Sequence, residues 1–391
     1  MEGDSPGNDE SVHESGRAEL KRRILSVIET LGLGGAERLL VTTHQHLDRT
    51  RFDPSVACLF GPNPLAEELR RIDIRVLELK LSGPHDLVRG ILQLRQLMRK
   101  EHFEIVHTHL YYANLAGRLA AWGQAAVVTT LHNPDYTYED PGSAVFSAKK
   151  LLDRLTGEWI NKHLLAVSDD VRKDFERQMR FSSIQVIPNY IDVDAFRGRL
   201  EQSDREAVRE KWGLRENDVM VLHVGRLHPQ KGQDTLIDAF ARARRERPDL
   251  ILFFLGEGKL RETLKQRVES AGLAAAVRFE NSSRDVTPYY RAADLFAFPS
   301  RYEAFGIVLL EAMTAGLPIV ASRVGGIPEV TGEGTALLVP VGDVGALSDA
   351  ILSLAADPVW RSSVGAAGRE RAKAFDVRRH LPDLEDVYAR L

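Results

Sequence analysis

In this 391-residue sequence, a few carboxylates, cations, glycines and histidines have the types and spacing for chemistry. Glu303 and Glu311 bracket Ala304-Phe305-Gly306-Ile307-Val308, in a stretch that reads as a sharp turn and a helix start after the apolar run Leu295-Phe296-Ala297-Phe298. The backbone N–H groups from about Phe305 to Val308 then open a helix without internal partners, at the positive end of its dipole. An anion such as a phosphate is their natural occupant. Glu311 falls in an otherwise apolar helix, where a carboxylate is costly to bury unless a hydroxyl or a cation meets it. Glu303 lies beside the free amides. A ligand with hydroxyls on both sides of a phosphate, such as a sugar nucleotide, suits the pair.

Arg226 and Lys231 flank a turn after the strand pattern Val219–Val224, with Gly225 before them and Gly232 after. A planar guanidinium and an ammonium at a strand end can neutralise a diphosphate without a metal, although two solvated loop charges would read the same way. Near the start, Gly34 and Gly35 separate the β-branched run Ile24–Ile28 from the helical pattern opened by Ala36 and Glu37. Glycines there let backbone approach a bulky anion, and they equally suit a plain tight turn. His109 and His132 each end a strand pattern, at the end where ligands of parallel sheets collect, whereas His107 fits a satisfied core position. Gly256 after Leu250–Leu255, and Arg284 and Val286 in the loop after Val277-Arg278-Phe279, are candidates to border a base. His107 and His109 lack nearby ligands for a metal. The Asp192-Val193-Asp194 triplet has a cation-binding form, but it lies in the expected linker, where turn chemistry explains it.

The elements that must position these residues alternate strand and helix from residue 20 onward. Short apolar strands and intervening helices predict right-handed βαβ units around parallel sheets. The rhythm pauses after Ile187 and restarts at Val219, which predicts an α/β protein of two Rossmann-like domains, 20–190 and 200–375, facing across a cleft. Residues 1–19 are rich in Gly, Ser, Asp and Glu and are expected to be a disordered acidic tail. A net charge of −4 supplies no basic field for nucleic acid. The single cysteine, Cys58, reads as an inert core thiol and fits a reducing, cytoplasmic compartment. No signal peptide or membrane-spanning run is expected.

Taken together, Gly34-Gly35-Ala36-Glu37, His109, Gly225-Arg226 with Lys231-Gly232, the Glu303/Glu311 pair around Phe305-Gly306, and Gly325-Gly326-Ile327-Pro328-Glu329 resemble glycosyltransferase family 4. Its members are retaining, nucleotide-sugar-dependent enzymes of the GT-B fold. The resemblance implies that Arg226 and Lys231 hold the donor diphosphate, Glu311 the ribose and Glu303 the transferred sugar. It further implies that His109 touches that sugar near the reacting carbon and that Gly35 approaches the phosphates. His132-Asn133 stands where members often have His-Asp, leaving His132 as an acceptor-side candidate. The last helix, 376–391, is expected to cross back to the first domain. No cofactor and no metal are implied, because front-side attack lets the leaving phosphate oxygen take the acceptor's proton.

A sugar-nucleotide epimerase or phosphorylase on the same fold, and a non-catalytic sugar-nucleotide sensor, are the rival readings. The expected partners are a nucleotide-sugar donor and a glycan or lipid-linked acceptor, in cell-surface polysaccharide or glycoconjugate synthesis. The cationic helical patterns Leu87–Lys100 and Ala144–Lys162 suit an anionic bilayer, at the inner face of the membrane, as well as they suit a solvated face.

Overall fold

The computed structural model describes residues 21–133, 144–160, 163–181 and 183–391. The tail expected over 1–19 and the last residues of the helix expected over 144–162 lie outside that set. Seven strands form the first sheet: β1 (Arg22–Ile28), β2 (Phe52–Cys58), β3 (Arg75–Glu78), β4 (Ile105–His109), β5 (Ala126–Leu131), β6 (His163–Ala166) and β7 (Ile184–Val186). Six form the second: β8 (Val219–Val224), β9 (Leu250–Leu255), β10 (Val277–Glu280), β11 (Leu295–Phe298), β12 (Ile319–Ser322) and β13 (Ala336–Val339). Their orders are β3-β2-β1-β4-β5-β6-β7 and β10-β9-β8-β11-β12-β13, with every pairing parallel.

Helices cover both faces of such sheets, so their central strands are apolar on both sides. β8 and β9 are buried along their whole length, as are the last five residues of β1. Cys58, at the end of β2, is fully buried, and burial pushes its thiol up to about 12, so it is a core residue. Strand order reverses between β1 and β4 in the first sheet and between β8 and β11 in the second. A crevice opens at the carboxyl ends of the strands at each reversal. Ile28 and His109 are register partners across the first of these points.

Two crossings join the units, and they run side by side. Ile191 N–H donates to Phe375 O at 3.1 Å, and Val377 N–H to Ile191 O at 2.9 Å. Asp192 caps the helix Val193–Gln202 through Ala195 N–H at 3.0 Å and also meets His46 Nε2 at 2.8 Å and Arg378 at 3.3 Å. Its carboxylate is thus engaged in hinge pairing, which is the turn chemistry expected of the Asp192-Val193-Asp194 triplet. That capped helix packs against Thr287–Ala292 and Ile307–Ala315, so the second unit starts near residue 193, where the sequence reading had a linker. The cap was legible; the weakly patterned helix behind it was not.

The final helix, Val377–Ala389, packs on helix Gly35–His46 of the first unit. The buried Tyr388 hydroxyl and His107 Nδ1 are 2.6 Å apart, and His107 Nε2 is 2.7 Å from Thr130 Oγ1, so both ring nitrogens of this core histidine are partnered. Arg22 donates to Tyr388 O at 2.7 Å, and Asp48 N–H to Glu385 Oε1 at 2.8 Å.

Burial holds His107 down to about 3, and His44 and His223 to about 4, from an ordinary 6.5. The folded state keeps these rings neutral while the unfolded chain protonates them. Their contribution is therefore complete above pH 6.5 and is lost as pH falls toward about 4 for His44 and His223 and about 3 for His107. In urea titrations across that window, His107→Asn is expected to flatten the decline in stability by ~1.4 kcal/mol per pH unit, one proton's worth. An unchanged slope would show that His107 titrates alike in both states.

Candidate active site

In the second unit, β11 ends at Phe298 and the chain turns through Pro299 to Gly306 into helix Ile307–Ala315. Gly306 enters that helix at φ +89°, and no side chain caps it, so its leading amides are left to a ligand. Leu309 N–H is already taken by Gly306 O at 2.9 Å, which leaves Ile307 and Val308 as the amides of interest. The turn Gly325-Gly326 packs beneath this loop. A Cβ on Gly325, at φ +54°, would stand 2.0 Å from Glu303 O, and one on Gly326 would stand 2.2 Å from Ala304 O. Buried Phe305 anchors the loop edge-on against Phe375, 5.6 Å away in the second crossing.

Lys231 comes to this loop because the short turn Pro229–Lys231 docks on the end of β11. Gly232, at φ +66°, lies so close that a Cβ would be 2.1 Å from Pro299 O. Lys231 Nζ then reaches Glu303 Oε2 at 2.5 Å and lies 5.0 Å over the Phe298 ring, with Glu303 only 8% exposed. Arg226 is exposed, without a hydrogen bond or ion pair from its guanidinium to any described residue. Its charge acts on Glu37 of the first unit, so it faces the opposite wall. Gly225 N–H donates to Leu255 O at 3.0 Å. A Cβ on Gly256 would stand 2.1 Å from Gly225 O, so Gly256 is needed for loop packing behind Arg226.

Glu311 accepts the Tyr290 hydroxyl at Oε2, 2.8 Å away, and that hydroxyl also lies 3.3 Å from Val308 O. Burial raises the Glu311 carboxyl, opposed by the Tyr290 hydroxyl and by Arg38 and Arg199. Its other oxygen has no hydrogen-bond partner among the described residues. Arg284 is exposed, and its carbonyl takes Arg38 Nη2 at 2.5 Å, while half-buried Val286 leads into helix Thr287–Ala292.

The facing wall is the first unit's switch point. Gly34 and Gly35 are exposed at the start of helix Gly35–His46, and a Cβ on Gly35 would lie 3.5 Å from Ile307 Cδ1 across the cleft. The glycine loop therefore meets the uncapped helix. A Cβ on Gly34 would come within 2.4 Å of Glu37 Oε2, because that carboxylate folds back over the start of its own helix. His109 is buried, with Nδ1 3.0 Å from His132 Nε2. Burial holds both rings well below 6.5, His132 at about 4, so a neutral pair shares one proton between these nitrogens. His132, expected on the acceptor side, is the hydrogen-bond partner of His109.

Three contacts bind the walls together. Ser168 Oγ donates to Ala304 O at 2.7 Å, Asp169 N–H to Glu329 Oε2 at 3.0 Å, and Arg38 reaches Arg284 O. Ser168 also caps the helix Asp169–Met179. Tyr290, Glu37 and Ser168 were missed as site residues. Glu37 had a signal in its place in the Gly34-Gly35-Ala36-Glu37 motif, and Ser168 in being a polar residue at the end of a strand pattern.

Family models match both halves: one described as Glycosyltransferase Family 4 over residues 33–195 and one as Glycosyl transferases group 1 over 204–371. A GDP-mannose-dependent monoacylated alpha-(1-6)-phosphatidylinositol monomannoside mannosyltransferase of Corynebacterium glutamicum is 34% identical over 195 residues, 48% of this chain; the chain spans about half, 51%, of that relative's length. A D-inositol 3-phosphate glycosyltransferase of Saccharomonospora viridis is 29% identical over 76% of this chain and 73% of its own. A UDP-Gal:alpha-D-GlcNAc-diphosphoundecaprenol alpha-1,3-galactosyltransferase of Escherichia coli is 25% identical over 91% of this chain and 94% of its own. Among solved structures, Anabaena Alr3699/HepE in complex with UDP-glucose superposes with a TM-score of 0.81 at 22% identity, covering 94% of this chain and all (100%) of that one. WaaG, a glycosyltransferase involved in lipopolysaccharide biosynthesis, gives a TM-score of 0.77 at 20% identity, covering 93% of this chain and 99% of that one. That likeness shows the GT-B fold, two Rossmann-like sheets across a cleft. With a family model on each side of that cleft, the chain belongs to the group 1 glycosyl transferases of glycosyltransferase family 4.

Proposed function

We propose that this protein is a retaining hexosyltransferase that moves a sugar from a nucleoside-diphosphate sugar to a hydroxyl of a glycan or lipid-linked acceptor, without a resident metal. The observation that carries the reading is the approach of the Gly35 loop to the uncapped helix, where a Cβ on Gly35 would lie 3.5 Å from Ile307 Cδ1, beside the turn that carries Arg226 and Lys231. Relatives named for GDP-mannose and UDP-galactose support a sugar nucleotide as donor, and those named for phosphatidylinositol and diphosphoundecaprenol acceptors support a lipid link. The diphosphate lies against Arg226, Lys231 and the amides of Ile307 and Val308, and the free oxygen of Glu311 takes a ribose hydroxyl. Glu303 takes hydroxyls of the transferred sugar, and arriving phosphate draws Lys231 partly away from it.

In the reaction, the bond from the anomeric carbon to the donor phosphate oxygen breaks. The acceptor oxygen bonds that carbon on the same face, and its proton passes to the departing phosphate oxygen. Buried, neutral His109 contributes position rather than charge. Catalysis rests on preorganised countercharge to the leaving diphosphate. Arg226→Ala and Lys231→Ala are each expected to lower kcat/KM by ~100-fold or more, with the product anomer matching the donor anomer in NMR spectra; near-normal turnover in both variants, or inversion, would overturn the reading. Activity is expected to persist in excess chelator. Loss in chelator and return with a divalent cation would give the countercharge to a metal instead.

We further propose that the first unit rests on an anionic bilayer. Helix Ala144–Trp159 exposes Leu151, Leu152, Leu155 and Trp159, the last by 77%, at helical spacing along one face with Lys149, Lys150 and Arg154 in the same helix. No helix among the described residues is long and apolar enough to cross the membrane. Such an apolar face edged by cations suits interfacial binding. Co-sedimentation with phosphatidylglycerol-containing vesicles is expected, weakened severalfold in Leu152→Ser/Trp159→Ser; equal recovery in the supernatant with and without vesicles would remove the bilayer from the reading.

A further inference from the structure

Beside the proposed donor site, the carboxyl ends of β1 and β4 carry a second group of chemically capable residues. Glu29 directly follows β1, whose last residue pairs in register with His109. Its Oε1 accepts Tyr112 N–H at 2.8 Å, at the start of helix Tyr111–Ala121. Its Oε2 has no hydrogen-bond partner among the described residues. The Lys149 ammonium lies 5.5 Å from the Tyr111 ring centre and 5.7 Å from that of Tyr112, and the two rings stand edge to face, 5.1 Å apart. Among the described residues, that ammonium makes no hydrogen bond and no ion pair.

The backbone joining this group to His109 is strained. Leu110 adopts φ +71° and ψ 159°, a region that side chains other than glycine's rarely enter. The turn lets His109 close the end of β4 while Tyr111 and Tyr112 begin a helix at once, which puts the tyrosine rings and the histidine on adjoining parts of one wall. The electrostatics are coupled in the same direction. Burial raises the Glu29 carboxyl, Glu37 raises it further and Lys149 opposes both, while Glu37 in turn feels Arg226. Carboxylate, ammonium and guanidinium thus form a chain of interacting charges from this wall to the donor-phosphate wall.

We propose that Glu29, Tyr112 and Lys149 form the acceptor subsite, and that it takes a hydroxylated ring bearing a phosphate. Lys149 pairs with the phosphate, and the free oxygen of Glu29 accepts a ring hydroxyl. The aromatic faces pack on the ring's C–H groups. The proposal rests on the transferase reading, and it adds the acceptor's charge and the residues that read it. A free polyol phosphate and a lipid headgroup share this chemistry.

The test begins with melting curves in UDP and in GDP, which examine the donor reading by themselves: no rise with either would sink that reading, whatever happens at Lys149. With the stabilising nucleotide saturating, calorimetric titrations compare myo-inositol with myo-inositol 1-phosphate. The phosphorylated ring is expected to bind about tenfold tighter or better, the scale of one charge-assisted contact. Lys149→Ala should abolish that preference and Lys149→Arg should restore it, with the nucleotide's melting shift unchanged in both. Glu29→Gln keeps an oxygen for Tyr112 N–H, so the fold is preserved, and it should weaken both rings by a similar factor. Displacement of the soluble phosphate by phosphatidylinositol vesicles would assign the headgroup as its source, and no displacement would assign the free polyol phosphate. Equal affinity for the two rings, no binding of the phosphorylated one, or a preference that survives Lys149→Ala would overturn the subsite.

Discussion

The pairing of Lys231 with Glu303 is the constraint around which the second half of the cleft is built. Two opposite charges 2.5 Å apart and largely hidden from water are tolerated only if their geometry is held firmly, since desolvation of each is expensive. That firmness comes from backbone packed against backbone. Gly232 lies on Pro299, Gly325 and Gly326 lie under Glu303 and Ala304, and Gly256 lies on Gly225; at each of these a side chain would collide with a carbonyl. The glycines therefore serve the rigidity of the ion pair as much as access for a ligand. The ammonium is thereby held in one place by its carboxylate and by the packed turn that carries it.

The first unit uses neutral groups instead. Burial keeps His44, His107, His109 and His132 neutral; His44 meets Ser26 Oγ, while His107 meets the Tyr388 hydroxyl and packs on His109, whose Nδ1 meets His132 Nε2. Cations thus mark the second unit's wall, at Arg226 and Lys231, while neutral rings and the carboxylates of Glu29 and Glu37 mark the first unit's. Under the proposed transfer, that division matches negative charge growing on the leaving group while a neutral hydroxyl approaches.

Much of this was legible from residue types. Strand and helix alternate with periods that a parallel sheet buried on both faces requires, so both sheets and their ligand-bearing ends could be placed. Glu303, Lys231 and the glycine turns sit at strand ends, where local pattern and chemistry agree. What stayed hidden depends on partners distant in the chain. Nothing near Glu311 announces Tyr290, and nothing near Ser168 announces the carbonyl of Ala304, 136 residues away. The partner of His132 was hidden for the same reason: its strand-end position was visible, but its bond to His109 belongs to the register of β4 and β5. Glu29 carried no signal, since a lone glutamate after a strand is ordinary surface chemistry until Tyr112 and Lys149 are seen around it.

The final helix has a bearing on how the molecule is made. Tyr388 fills the core of the first unit, touching Phe52, His107 and, through its carbonyl, Arg22, a separation of 366 residues. Domains that emerge first from the ribosome usually fold first. Here the first sheet emerges early yet lacks one of its own core side chains until Tyr388 has been synthesised. Its completion must wait for the whole second unit, so the order of synthesis and the order of final packing are opposed. Helix Val377–Ala389 acts as a latch on the first unit, and it is set only once the second unit has been made.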